Sequence, residues 1–105
     1  MRRGEVYRFR FPRGVGHEQS RERFGVVVQA DELLPRSVVL VAPTSRSARP
    51  ASFRPVVSVG GEETRVLVEQ LGAVDVQRLG KRVRQLDANE MWAVDEALTT
   101  VLALY

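Results

Sequence analysis

Cysteine is absent from the 105 residues, which excludes disulfides, thiolate catalysis and cysteine-ligated zinc. Histidine occurs once, at His17. Two-histidine acid–base catalysis is therefore unavailable, and a zinc site would have to rest mainly on carboxylates, a poor donor set for that ion. No conspicuous acidic cluster offers to hold two divalent cations, and no metal or other cofactor is expected. No apolar run approaches the roughly 20 residues that span a bilayer. The opening Met1-Arg2-Arg3-Gly4-Glu5 leads into alternating rather than continuous apolar residues, so no secretion signal is read there and a cytoplasmic location is expected. Repeats, linkers and low-complexity tracts are also missing.

What is present is enough for one domain spanning residues 1–105. Apolar residues make up 44% of the chain, inside the globular range. The charge is unevenly spread. Residues 1–54 hold eleven arginines against five acids, a net of +6, whereas residues 55–105 hold five basic residues against eight acids, a net of −3. Such asymmetry marks a face that attracts a polyanion, most often nucleic acid or membrane headgroups. The plainer reading is compositional bias, since fifteen of the sixteen basic residues are arginine.

Glu5 to Phe11 alternates strictly, with Tyr7, Phe9 and Phe11 on one face and Arg8 and Arg10 on the other, which predicts a half-buried strand. Pro12, Gly14 and Gly16 open a loop of about ten residues, longer than most connections in compact domains. Phe24–Ala30 and Ser37–Ala42 are β-branched runs that read as central strands, with a turn over Asp31–Arg36 between them. Pro43 to Pro50 reads as a second polar loop. Phe53–Val59 and Thr64–Gln70, joined by Gly60-Gly61-Glu62-Glu63, read as a hairpin. Between Ala73 and Leu86 a helical turn through Leu79 and a short strand from Arg82 are expected. Asp87 is a good N-cap with Glu90 placed for a capping box, and Met91, Val94, Leu98, Val101 and Leu102 recur at helical spacing to about Leu104. The fold class is therefore mainly β with a C-terminal α-helix, a small curved β-barrel closed by that helix. Apolar pattern alone does not separate an SH3-like barrel from an OB-fold.

The densest chemistry lies in Gly16-His17-Glu18-Gln19-Ser20-Arg21-Glu22-Arg23, a polar loop running straight into the strand Phe24-Gly25-Val26-Val27-Val28. An arginine fixed where a strand begins is a preorganised fork for a phosphate. This wording resembles the MazF/PemK family of toxin endoribonucleases. The likeness extends along nearly the whole chain: Arg3-Gly4-Glu5-Val6, Glu18-Gln19 with Arg23, Val41-Ala42-Pro43-Thr44-Ser45, Thr64 to Gln70, Val74-Asp75 and Arg78-Leu79-Gly80. Singly these motifs are weak; in this order and spacing they are fairly specific.

The resemblance implies an SH3-like barrel that pairs as a homodimer. It also implies cleavage of single-stranded RNA to a 2′,3′-cyclic phosphate and a 5′-OH, and neutralisation by an acidic cognate antitoxin. Position by position, it makes Arg23 the catalytic arginine, Glu18 the glutamate of the same loop, and Thr44 the catalytic threonine. The family's usual wording is proline, one apolar residue, then Thr-Ser, whereas here Pro43 precedes Thr44-Ser45 directly; either hydroxyl fits, with Thr44 preferred. Phe24 replaces the family's usual proline, and Arg21-Glu22 replace smaller residues.

Cleavage of this kind needs a base for the 2′ proton, charge neutralisation on the phosphorane and an acid for the departing oxygen. Arg23 suits the second task; its pKa is too high for ordinary proton shuttling, so acid–base work needs Glu18 or the substrate. Candidate RNA contacts are His17, Gln19 and Arg21 in the first loop, Arg46 and Arg49 in the second, and Gln70 at a strand end. Each has a plainer reading as a solvated or structural side chain. Two functional alternatives stand beside the nuclease: a non-catalytic, gyrase-poison-like toxin using the terminal helix and Trp92, or an inactive RNA-binding module.

Overall fold

The computed structural model describes residues 1–10 and 22–105. Among the described residues, seven antiparallel strands form: β1 Glu5–Arg10, β2 Glu22–Val27, β3 Val38–Ser45, β4 Val56–Val59, β5 Glu62–Val66, β6 Gly72–Asp75 and β7 Leu79–Gln85. One helix, α1, follows at Ala88–Leu102. The strand order is β4-β5-β3-β2-β1-β7, with β6 attached to β3. β3 is the hub. One edge pairs with β2, while the other is divided between β6, along Val38–Val41, and β5, along Thr44–Ser45. That division bends the sheet into a half-barrel, as expected of a small curved barrel closed by a helix.

The eight largest fully buried side chains are all valines: Val6, Val26, Val27, Val39, Val41, Val66, Val68 and Val94. β-Branched side chains lose little rotamer freedom on a pleated surface, and each one buried contributes about 1.5–3 kcal/mol. Their small volume also keeps the layers close. Val6 pairs directly with Val26, and both sit in the main core with Ala42, Val66, Leu86 and Val94. Phe9, on the opposite side of β1, is buried as well. The expected alternation holds over Tyr7, half-buried, Arg8, exposed, and Phe9, buried, and departs at Val6, which is fully buried on the Arg8 side of the strand; Arg8 lies over the Phe24 ring at 5.8 Å. Phe11 lies outside the described residues.

Other boundaries shift: β2 covers Glu22–Val27 where Phe24–Ala30 was expected, β4 begins at Val56 and not Phe53, and β7 begins at Leu79 and not Arg82. Thr44 and Ser45 belong to β3, not to the loop expected from Pro43 onward. The run Thr64–Gln70 ends as a strand at Val66 and continues as a 3-10 turn at Val68–Gln70. The helical turn expected around Val74–Leu79 is β6 followed by a 3-10 turn at Val76–Arg78. At the helix, the capping box forms: Asp87 accepts from the Glu90 amide at 2.8 Å, and Glu90 accepts from the Asp87 amide at 2.9 Å. The Glu90 carboxylate also accepts from Arg84 of β7, and from the Ser58 amide of β4 at 3.4 Å. Met91, Val94, Leu98 and Val101 pack on the sheet, while Leu102 is half exposed and Trp92 is 66% exposed.

Among the described residues, Glu5 is the one buried acid. Its carboxylate accepts from the Arg2 amide at 2.7 Å, the Tyr7 hydroxyl at 2.9 Å and Arg82 Nε across the β1–β7 pairing. Burial pushes the Glu5 carboxyl up, but these three donors outweigh it and hold it below its ordinary 4.5. Tyr7 moves the other way, raised by burial and by the adjacent carboxylate. A depressed carboxyl contributes stability that is complete above its unfolded value and is lost as pH falls through the folded one. The thermal midpoint of the wild type is thus expected to fall more steeply below pH 4.5 than that of Glu5→Gln, which costs about 1–3 kcal/mol at neutral pH. Parallel midpoint–pH curves for the two proteins would refute this.

Candidate active site

The backbone ladder between β2 and β3 has its last pair at Gly25 and Pro43. One residue further on, a side chain takes over: Thr44 Oγ1 donates to the Phe24 carbonyl at 3.1 Å. Thr44 is only 3% exposed, set opposite Val66 of β5 and beside the core residue Ala42. Its hydroxyl therefore fixes the Phe24–Gly25 peptide unit, one residue past Arg23. Gly25 makes this close approach possible, since a Cβ there would lie 2.5 Å from Val41 Cγ1. Any side chain at 25 pushes β2 away from the strand that carries Thr44.

Arg23 itself is partly exposed, and its backbone pairs with Phe9 of β1. The strand that holds it is thus fixed from both sides, by β1 and by the Thr44 hydroxyl. Phe24 occupies the place after the arginine where the resemblance leads one to expect proline. Its carbonyl is held by Thr44 and its ring is covered by Arg8, so hydrogen bonding and stacking restrain a position that proline would restrain through φ.

Ser45 is the more open hydroxyl. It accepts from the Ser47 amide at 3.3 Å, an arrangement that turns the chain out of β3 into the segment 46–55. Arg46 at the start of that segment is exposed and forms an ion pair with Glu62 of β5. Arg49 is exposed too, and its carbonyl accepts from Arg54 Nη1 at 3.0 Å. Gln70 lies exposed at the end of the 3-10 turn Val68–Gln70. Next to it, Glu69 binds Arg54, with Nη2 at 2.6 Å and Nε at 2.7 Å from the same carboxylate oxygen. An open depression lined by Arg46, Val56, Glu63, Thr64 and Arg65 sits on the β4–β5 side and includes neither Arg23 nor Thr44.

Of the residues singled out from sequence, Arg23 and Thr44 are brought together through Phe24, and Ser45, Arg46 and Arg49 follow Thr44 along one segment. Glu18, His17, Gln19 and Arg21 lie outside the described residues. Sequence reasoning missed the pairing of Arg54 with Glu69. Fifteen residues separate the two, and no periodicity or turn rule links positions so far apart.

Comparison with known proteins agrees with this fold. The model of the PemK-like, MazF-like toxins of type II toxin–antitoxin systems matches residues 2–102. A Mycobacterium tuberculosis protein named as a candidate toxin is 42% identical over 104 residues, covering 97% of each chain. Endoribonuclease EndoA of Bacillus subtilis is 32% identical over 111 residues, which span 99% of this chain and 96% of that one. Among solved structures, an endoribonuclease from a mycobacterial species in complex with its cognate antitoxin has a TM-score of 0.80 at 17% identity, over 100% of this chain and 97% of the other. At that identity the likeness shows a shared fold. With the family model matching nearly end to end, the chain belongs to the PemK-like, MazF-like toxin family.

Proposed function

We propose that residues 1–105 form one toxin domain that cleaves single-stranded RNA without a metal ion, acting in the cytoplasm as a homodimer. The observation that carries this reading is the Thr44 hydroxyl bound to the Phe24 carbonyl, because it fixes the backbone from which Arg23 projects. A guanidinium so placed offers two parallel donors to the non-bridging oxygens of a phosphodiester and offsets the charge that develops when the phosphorus becomes five-coordinate. The ribose 2′-oxygen attacks phosphorus and gives up its proton to Glu18. The bond to the 5′-oxygen breaks, and that oxygen takes a proton from water as it leaves, the hydroxide so formed recovering the proton held by Glu18. The products are a 2′,3′-cyclic phosphate and a 5′-OH.

Of the two candidate hydroxyls Thr44 is preferred over Ser45; its single proton goes to the Phe24 carbonyl, so it serves the phosphate by holding the strand that carries Arg23. Arg46 and Arg49, together with His17, Gln19, Arg21 and Gln70, contact the RNA on either side. An acidic cognate antitoxin that binds these arginines is the matching partner, in keeping with the antitoxin-bound endoribonuclease that shares the fold. Its binding weakens with salt because the attraction is between opposite charges.

The deciding experiment incubates purified protein with single-stranded RNA in EDTA and labels the products with polynucleotide kinase. Fragments that accept a 5′ phosphate without prior phosphatase treatment are expected, with 3′ ends that open to a monophosphate in acid. Cleavage that stops in EDTA and returns with magnesium would overturn the metal-free mechanism. RNA bound but uncut would leave an RNA-binding module.

A further inference from the structure

We infer that Arg54 is a positioning residue for RNA, anchored by Glu69 and acting through the backbone of Arg49. The inference rests on the RNA-cleaving function proposed above and adds to it a residue outside the Arg23–Thr44 pair.

Three observations carry it. First, Arg54 spreads its donors over two separate elements. Nε and Nη2 go to one Glu69 oxygen at 2.7 and 2.6 Å, and Nη1 goes to the Arg49 carbonyl at 3.0 Å. Its main chain is tied as well: its amide donates to the Ala51 carbonyl, and its carbonyl accepts from Arg65 Nη1, each at 3.0 Å. Second, the guanidinium lies over the Phe53 ring at 5.5 Å, and Phe53 packs against the main core. A fork held on its face by an aromatic ring and on its edges by acceptors has little freedom left.

Third, the pairing is not the one that stability alone selects. The two side chains are mostly buried, at 23% and 24% exposure, yet Glu69 Oε1 is shielded from solvent with no hydrogen-bond partner. Burying an ion pair costs desolvation, and an unsatisfied carboxylate oxygen adds to that cost; an apolar pair of similar size is often as stable. What the charged pair supplies is geometry. It fixes the distance between the segment bearing Arg46 and Arg49 and the turn bearing Gln70, two elements joined by no strand pairing. Arg49 has no secondary structure of its own, so the carbonyl bond from Arg54 sets where its side chain starts.

The test measures cleavage of a single-stranded RNA oligonucleotide by the full-length wild type, Arg54→Ala, Arg54→Lys, Arg49→Ala and the double variant Arg49→Ala/Arg54→Ala. With Arg54→Ala, KM is expected to rise about 10-fold while kcat stays within about twofold, since displacement of a binding group by even an ångström is costly. Arg54→Lys keeps the charge, loses the fork and falls between. In the Arg49→Ala background the effect of Arg54→Ala is expected to vanish, because one residue acts through the other. Fully additive effects, or a wild-type KM in Arg54→Ala, would overturn the inference. Should Arg54→Ala fail to fold, as read by circular dichroism, Arg54→Lys carries the same comparison in both backgrounds, and a wild-type KM there overturns the inference. A wild type that neither binds nor cuts RNA would instead overturn the underlying function.

Discussion

Arg23→Ala is expected to lower kcat for RNA cleavage by about 10³-fold, equivalent to about 4 kcal/mol of transition-state stabilisation. The size follows from what the guanidinium is asked to do. A phosphorane carries more charge on its equatorial oxygens than the ground state, so a fixed cation helps the transition state more than it helps binding. KM should therefore move much less than kcat. Arg23→Lys should recover only part of the loss, because a mobile point charge replaces a planar two-pronged donor. The fold supplies the control. Arg23 is partly exposed on β2 while the valine core lies elsewhere, so the thermal midpoint of Arg23→Ala should stay near the wild-type value. Single-turnover kinetics with saturating enzyme separates the two parameters. Cleavage by the alanine variant at the wild-type rate would remove the guanidinium from the mechanism.

The second large effect is expected at Thr44. Thr44→Val keeps the shape of the side chain, deletes the hydroxyl and leaves the Phe24 carbonyl without its 3.1 Å donor. The stability cost is that of one buried hydrogen bond lost on one side, about 1–3 kcal/mol. The kinetic cost is larger, about 10²-fold in kcat, because the Phe24–Gly25 peptide, one residue past Arg23, is released and the arginine is less firmly held in reacting geometry. Thr44→Ser restores the hydroxyl and should restore most of the rate. Ser45→Ala, which touches only the turn into residues 46–55, is expected to stay within about threefold. A crippled Ser45→Ala beside an active Thr44→Val would move the hydroxyl role one residue along β3. Comparing kcat for the three variants, with unfolding curves for each, decides the matter.

Elements governed by local rules were legible in the sequence. The capping box at Asp87 and Glu90 announces the helix, and Gly60-Gly61 announces the hairpin, with both glycines adopting positive φ, +62° and +80°. Where several partners meet, the reading failed. Pro43 looks like the end of a strand because proline has no N–H to donate, yet β3 runs through it to Ser45. Its carbonyl accepts from Leu67, so its nitrogen faces the same edge, where pairing passes from β6 to β5 and no donor is required. The run from Thr64 to Gln70 misleads for a related reason. Val66, Leu67 and Val68 are all buried, and three consecutive buried residues fit neither an alternating strand nor a loop. The pair Arg23 and Thr44 could be chosen from sequence through its likeness to known toxins. The bond that couples them runs through a main-chain carbonyl of Phe24, an atom every residue type possesses and no motif can announce.

The divided edge of β3 also limits how an inhibitor can approach. With β2 on one flank and β6 then β5 on the other, the strand bearing Thr44 presents few bare peptide groups along its length. A polypeptide that silences the toxin cannot annex that strand by adding one of its own. It must reach across the strand ends and bargain with side chains, because even β4, outermost in the order, has the Ser58 amide taken by Glu90 and the Ser58 carbonyl taken by Arg84 of β7 at 2.6 Å.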